Sequence, residues 1–176
     1  HGAEEQLEIA RDRRRHSGSD VPSTQWSQCA YDGLTKLIKQ HAWLNADARR
    51  LMRMPGVGPI TASAVVATIS DAKQFETGRD LAAWLGLTPL SRSSGGKERL
   101  GRITKEGDQY IRKLLIVGMT SRALMARHKP EKADIWTARL LAEKPFRLAT
   151  VAMANKSARI IWALLTKREK YRQPIA

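Results

Sequence analysis

A single cysteine, Cys29, stands among 176 residues, which excludes an internal disulfide and any cysteine-rich zinc site. Aromatic side chains supply only 6% of the chain, and acidic ones are scarce: 17 Asp and Glu against 31 Lys and Arg, a formal net charge of +14. The four histidines, at 1, 16, 41 and 128, show neither ligand nor triad spacing, so no metal site is legible. No apolar run reaches the roughly 18–20 residues that cross a bilayer, because Val151 to Leu165 is interrupted by Asn155, Lys156 and Arg159. The opening His1-Gly2-Ala3-Glu4-Glu5 has no apolar stretch of the signal-peptide kind, which points to the cytoplasm. The missing initiator Met suggests a processed chain or an excised fragment.

What is present fits a folded chain. Hydrophobic residues at 42% and charged residues at 27% argue against whole-chain disorder or a collagen-like repeat. The length suits one domain with an appended arm. Residues 4–15 read as a polar helix and 16–22 as a connector, giving an expected arm or remnant linker over 1–33 and a helical domain over 34–176. Trp26, Ala30, Leu34, Leu37, Ile38 and Leu44 recur at helical spacing. A helix ending near Met54, a break at Pro55-Gly56-Val57-Gly58-Pro59 and a renewed apolar run over Ile60 to Ile69 read as helix, tight turn, helix.

Thr77-Gly78-Arg79-Asp80 has the form of a capping box, predicting a short helix over Leu81 to Leu87. Leu90 to Lys105 lacks periodicity and reads as a loop. A long helix is expected from Asp108, with Ile111, Leu114, Leu115, Gly118 and Leu124 inside, stopped by Lys129-Pro130. Glu131 to Glu143 and Phe146 to Lys167 read as two more helices, the second with a stripe of Ala149, Ala152, Met153, Ile160, Ile161, Leu164 and Leu165. Trp84, Trp136 and Trp162 fall in apolar stripes and read as core rather than as base-stacking platforms. No segment reads as a strand. The expected fold is all-α, an orthogonal helical bundle containing a helix-hairpin-helix element.

Two segments point to chemistry. In Met54-Pro55-Gly56-Val57-Gly58-Pro59-Ile60-Thr61, Gly56 and Gly58 would let a nucleic-acid backbone approach, and the amides leading to Thr61 would meet a phosphate at the start of the next helix. An ordinary αα-hairpin is the bland alternative. The second segment is Ser91-Arg92-Ser93-Ser94-Gly95-Gly96-Lys97-Glu98-Arg99-Leu100-Gly101-Arg102-Ile103-Thr104-Lys105. It fails as a phosphate-binding loop: Ser91 stands where the first glycine is required, Glu98 where Ser or Thr is, and no hydrophobic strand pattern precedes it. What remains is a pair of hydroxyls among cations. From Arg92 to Lys129 the surplus is seven positive charges, half the net charge of the whole chain. Arg92, Lys97, Arg99, Arg102 and Lys105 could stabilise a serine oxyanion and the phosphorus centre it attacks. The alternative is a surface loop with idle serines.

Taken in order, Met54 to Ala62, Phe75 to Pro89, Ser93 to Lys105 and Ala154 to Leu165 resemble one family, and the resemblance extends from about Leu34 to Tyr171. It is the C-terminal transposase domain of the Piv/MooV-type, bridge-RNA-guided insertion-sequence recombinases. The resemblance implies a bacterial, nucleoid-associated protein whose nucleophile is Ser93 or Ser94; Ser93 is preferred because the adjacent motif position accepts threonine. It also implies DNA as substrate, a guide RNA as possible partner, homo-oligomerisation, and strand transfer through a phosphoserine. Members carry a RuvC-like domain whose four acids hold divalent metal. No such pattern precedes residue 34, so Mg2+ is expected to belong to a domain outside this chain and no cofactor to this chain itself, which alone should cleave little or no DNA. Two competing readings are a non-catalytic helix-hairpin-helix DNA-binding module and a basic assembly domain.

Overall fold

The computed structural model describes residues 23–91 and 100–172. The chain divides into two units, residues 1–37 and 38–176. Of the first, the described part is the opening of α1 (Ser23–Leu44). The helix is there as its spacing predicts, but Tyr31, Leu34 and Leu37 on it are exposed.

In the second unit, Asn45 caps α2 (Ala46–Leu51), its Oδ1 accepting from the amides of Asp47 and Ala48. The helix ends three residues earlier than the pattern suggests, because the chain turns through successive short-range bonds, Met54 N to Leu51 O and Val57 N to Met54 O. Met54 and Val57 point inward from that turn. α3 (Pro59–Thr68) follows, with Pro at its first position, where a missing N–H costs nothing. The capping box then forms as its sequence predicts, Thr77 Oγ1 accepting from the Asp80 amide and the Asp80 carboxylate from the Thr77 amide, but α4 (Gly78–Trp84) starts directly after the cap and so lies three residues before the expected Leu81 to Leu87.

The 90–105 region departs from expectation. β1 (Pro89–Ser91) and β2 (Leu100–Ile103) pair antiparallel, with Pro89 opposite Ile103 and Ser91 opposite Leu100 across an irregular register. No alternation announces these strands, because tertiary contacts hold them: Ile103 packs against the core, and the Thr104 amide bonds Thr88 O. The small sheet leaves the fold all-α in character.

Asp108 caps α5 (Gln109–His128), accepting from the Ile111 amide at 2.7 Å. Lys129-Pro130 ends it in a short 3-10 turn, and α6 (Ile135–Glu143) begins only after Asp134, whose carboxylate takes the Thr137 amide and hydroxyl. The expected start at Glu131 is therefore early by about one turn: Asp134 is a strong N-cap and fixes the helix where it stands. Leu124 is also misassigned, 45% exposed, while Ala123 and Met119 take the inner face.

α7 (Phe146–Lys167) is the spine, packed against α4 and α5. Its stripe buries Ala149 and joins Met153, Ile161 and Leu164 with Leu51, Leu81, Ile111 and Leu115 in one cluster. Each large side chain removed from water there contributes about 1.5–3 kcal/mol. Of the three tryptophans, Trp162 is half-buried with its indole N–H on Phe75 O, whereas Trp84 is partly exposed beside the Phe75 ring.

Candidate nucleic-acid interface

The turn between α2 and α3 separates its two glycines by role. Gly56 has φ +87°, a left-handed conformation that an L side chain rarely adopts, and a Cβ there would strike Met119 and approach Gly118 O to 3.0 Å. Gly58 is different: it is exposed and extended, and a Cβ on it would meet nothing within 4 Å. Nothing inside the described fold demands glycine at 58, and the open space lies at the head of α3, where unpaired amides and the helix dipole favour an anion. Thr61 is only 6% exposed, so its side chain faces inward. The backbone, rather than that side chain, is what the helix start offers.

Arg92, Ser93, Ser94, Lys97 and Arg99 lie outside the described residues, between β1 and β2. The base of that segment is fixed. Lys105 donates its amide to Gly86 O at 3.1 Å, and the glycines at 86 and 107 let two stretches of backbone touch: a Cβ on Gly107 would strike Trp84 O. Arg112 completes the clamp. Its Nη1 donates to Leu85 O at 3.0 Å and Glu106 O at 2.8 Å, binding the end of α4 to the turn after β2. Asn155 of α7 adds a bond to Leu87 O at 3.1 Å. Arg102 and Lys105 are both exposed, as a phosphate contact requires, and Lys105 holds φ +62°.

The basic segment is therefore not uniformly a surface feature. Arg112 is buried and structural, and Arg122 pairs with Asp134 at 2.5 Å. Burial alone would raise the Asp134 pKa, but the Thr137 bonds and the Arg122 guanidinium outweigh it and hold the carboxyl below its ordinary value.

Sequence reading missed the cations of α7. Arg147 and Arg159 are exposed, and Lys156 places Nζ 3.6 Å over the Trp136 ring. Burial of that ammonium, with repulsion from Arg122 and Arg159, lowers its pKa, while Asp134 partly opposes the shift. Lys156, Arg122, Asp134, Trp136 and Tyr171 line a cavity of about 610 Å3. A separate open groove of about 490 Å3 lies between β2 and α7. The signal for these residues was a charged row on an otherwise apolar helix, which as sequence is indistinguishable from a solvated face.

His41 Nδ1 lies 3.1 Å from Ser63 Oγ, a contact no sequence spacing announced. Ser63 is buried, so the pair ties α1 to α3 rather than presenting a nucleophile. Among the described residues no three His, Cys, Asp or Glu side chains come together to hold a metal. Nor is any helix among them long and apolar enough to cross a membrane.

This is a basic, all-α chain with an exposed glycine at a helix start and a clamped two-stranded hairpin. The profile described as "Transposase IS116/IS110/IS902 family" matches residues 48–137, and the chain belongs to that family. Its relatives agree. It is 46% identical over 139 residues to a Pseudomonas aeruginosa protein described as a "probable family 20 transposase", covering 79% of this chain and 41% of that one. It is 42% identical over 135 residues to the transposase for insertion sequence element IS1111A of Coxiella burnetii, covering 77% and 37%. With the transposase for insertion sequence element IS1328 of Yersinia enterocolitica the identity is 35% over 132 residues, covering 74% and 39%. The chain thus spans about two fifths of the length of these curated relatives.

Proposed function

We propose that this chain is the DNA-gripping, serine-bearing part of an insertion-sequence transposase of the Piv/MooV, bridge-RNA-guided type. The observation that carries the reading is family membership, with relatives named as insertion-sequence transposases. Support comes from the Gly58 opening at the head of α3, read as a helix-hairpin-helix phosphate contact, and from exposed Arg102 and Lys105 at the foot of the 92–99 segment. Ser93, with Ser94 as the alternative, attacks a DNA phosphorus. The Oγ–P bond forms as one bridging P–O bond breaks, and the proton given up by the serine hydroxyl is balanced, through solvent, by the one that the departing deoxyribose oxygen takes up to leave as a hydroxyl. Attack by the hydroxyl of a partner strand reverses these bonds and frees the serine, so no external energy source is needed. Arg92, Lys97, Arg99, Arg102 and Lys105 neutralise the pentavalent centre.

The described residues do not fit a divalent metal, and no step above depends on one. Mg2+ belongs to a RuvC-like acidic domain; the relatives are more than twice as long as the stretch they share with this chain, which leaves room for it. In the whole protein that domain, a second copy of the chain and a guide RNA are the partners. The decisive experiment supplies the acidic half and traps protein–DNA adducts under denaturing conditions. Ser93→Ala should abolish the adduct while DNA affinity holds within about twofold. Adducts that survive both Ser93→Ala and Ser94→Ala would overturn the assignment and leave the non-catalytic binding module.

A further inference from the structure

The groove between β2 and α7 combines an apolar lining with cations. Its floor is aliphatic, formed by Leu87, Ile103, Leu148 and Val151, and its rim carries two exposed guanidinium groups, Arg102 from β2 and Arg147 from the first turn of α7. Among the described residues that line it there is no carboxylate. At about 490 Å3 it falls within the usual range of small-molecule pockets, roughly 300–1,000 Å3. Leu148, part of this apolar lining, is 55% exposed.

We propose that this groove holds an unpaired nucleotide of the DNA strand, its base laid on the aliphatic floor and its flanking phosphates between Arg102 and Arg147. The proposal rests on the functional reading above and deepens it by naming the strand form that is gripped. Charge complementarity selects the occupant: among the described residues an apolar slot rimmed by two guanidinium groups suits a ring carried on a polyanion, the cationic groove of single-strand binding sites with an aliphatic floor in place of their aromatic platform. A paired base presents no free face to such a floor. Position agrees, since Arg102 and Gly101 follow within three residues of Arg99, at the foot of the serine-bearing segment. The groove also shares Ala152 and Asn155 with the cavity that Lys156 and Arg159 line beside the Arg122–Asp134 pair and Glu169, so a strand leaving it would meet Lys156 and Arg159.

The test compares an intact duplex, a single-stranded DNA oligonucleotide and an RNA of the same sequence, by fluorescence anisotropy, with 2-aminopurine in the single strand to report burial of a base. The double variant Arg147→Ala/Leu148→Ser touches only exposed positions, and an unchanged melting curve confirms its fold. It should bind the single strand about tenfold more weakly and lose the 2-aminopurine signal, while duplex affinity holds within about twofold. Equal loss for both DNA forms, or no loss for either, overturns the groove proposal alone. Tighter and equally sensitive binding of the RNA overturns the choice of DNA. Failure of the unaltered chain to bind any DNA overturns both this inference and the functional reading.

Discussion

Gly118 of α5 lies directly against Gly56 of the turn between α2 and α3, so close that a Cβ on Gly118 would strike the Gly56 carbonyl oxygen. Helix propensity alone would favour alanine at 118 by about 1 kcal/mol. The contact wins, because the obstructing atom is backbone and cannot rotate away. Gly118→Ala should therefore lower stability by about 1–3 kcal/mol, a fall of roughly 3–10 °C in melting temperature. Gly56→Ala should cost at least as much, since its positive φ is added to the clash with Met119 and Gly118. Thermal unfolding followed by circular dichroism checks both, and a melting temperature unchanged in both variants would refute the close packing.

Gly58 should behave in the opposite way. Aspartate is a strong N-cap, about a few tenths of a kcal/mol better than glycine there, and the open space accommodates it. Gly58→Asp should keep or raise the melting temperature, yet weaken DNA binding at least tenfold by placing a carboxylate where a phosphate would sit. Unaltered affinity in a folded Gly58→Asp variant would remove the helix start from the interface.

The difference between these two glycines marks how far the sequence could be read. Pro55-Gly56-Val57-Gly58-Pro59 announces a turn between helices, and Thr77 with Asp80 announces a cap, because both signals are local. That Gly56 answers to Gly118 and Gly58 to nothing among the described residues depends on contacts some sixty residues apart, which no local pattern encodes. Arg112 makes the same point: in the chain it is one more cation of a basic segment, and in the fold it bonds two carbonyls beneath the surface. The β1–β2 pair was illegible because seven residues of irregular register carry no period. Arg147, Lys156 and Arg159 became interesting only when α7 was seen to border two cavities.

Asp134 predicts an acid-sensitive joint. Its pKa is lowered from 3.8 because the Thr137 bonds and Arg122 outweigh the effect of burial. A depressed carboxyl contributes its stability above the unfolded value, about 3.9, and loses it as pH falls through the folded value. The stability gap between the protein and Asp134→Asn should be constant from pH 7 to about 5 and should shrink below about pH 4. Urea unfolding at several pH values gives that gap directly, with the acid repulsion of a +14 chain cancelling between the two proteins. A gap that widens on acidification would reverse the sign of the assignment.

Composition alone treats every cation as equivalent in binding a polyanion; the fold does not. Arg102 and Lys105 are exposed at the foot of the 92–99 segment, whereas Arg122 is already matched by Asp134. Each phosphate contact releases counterions, so the slope of log affinity against log salt counts the contacts made. Arg102→Ala and Lys105→Ala should each reduce that slope by about one, and the triple variant Lys97→Ala/Arg99→Ala/Arg102→Ala by about three. Arg139→Ala, which deletes an exposed charge already paired with Glu143 on α6, should leave the slope unchanged. If all these variants shift the slope equally, the +14 charge acts as a diffuse field and the hairpin holds no privileged place; an unshifted triple variant would remove the segment from the interface outright.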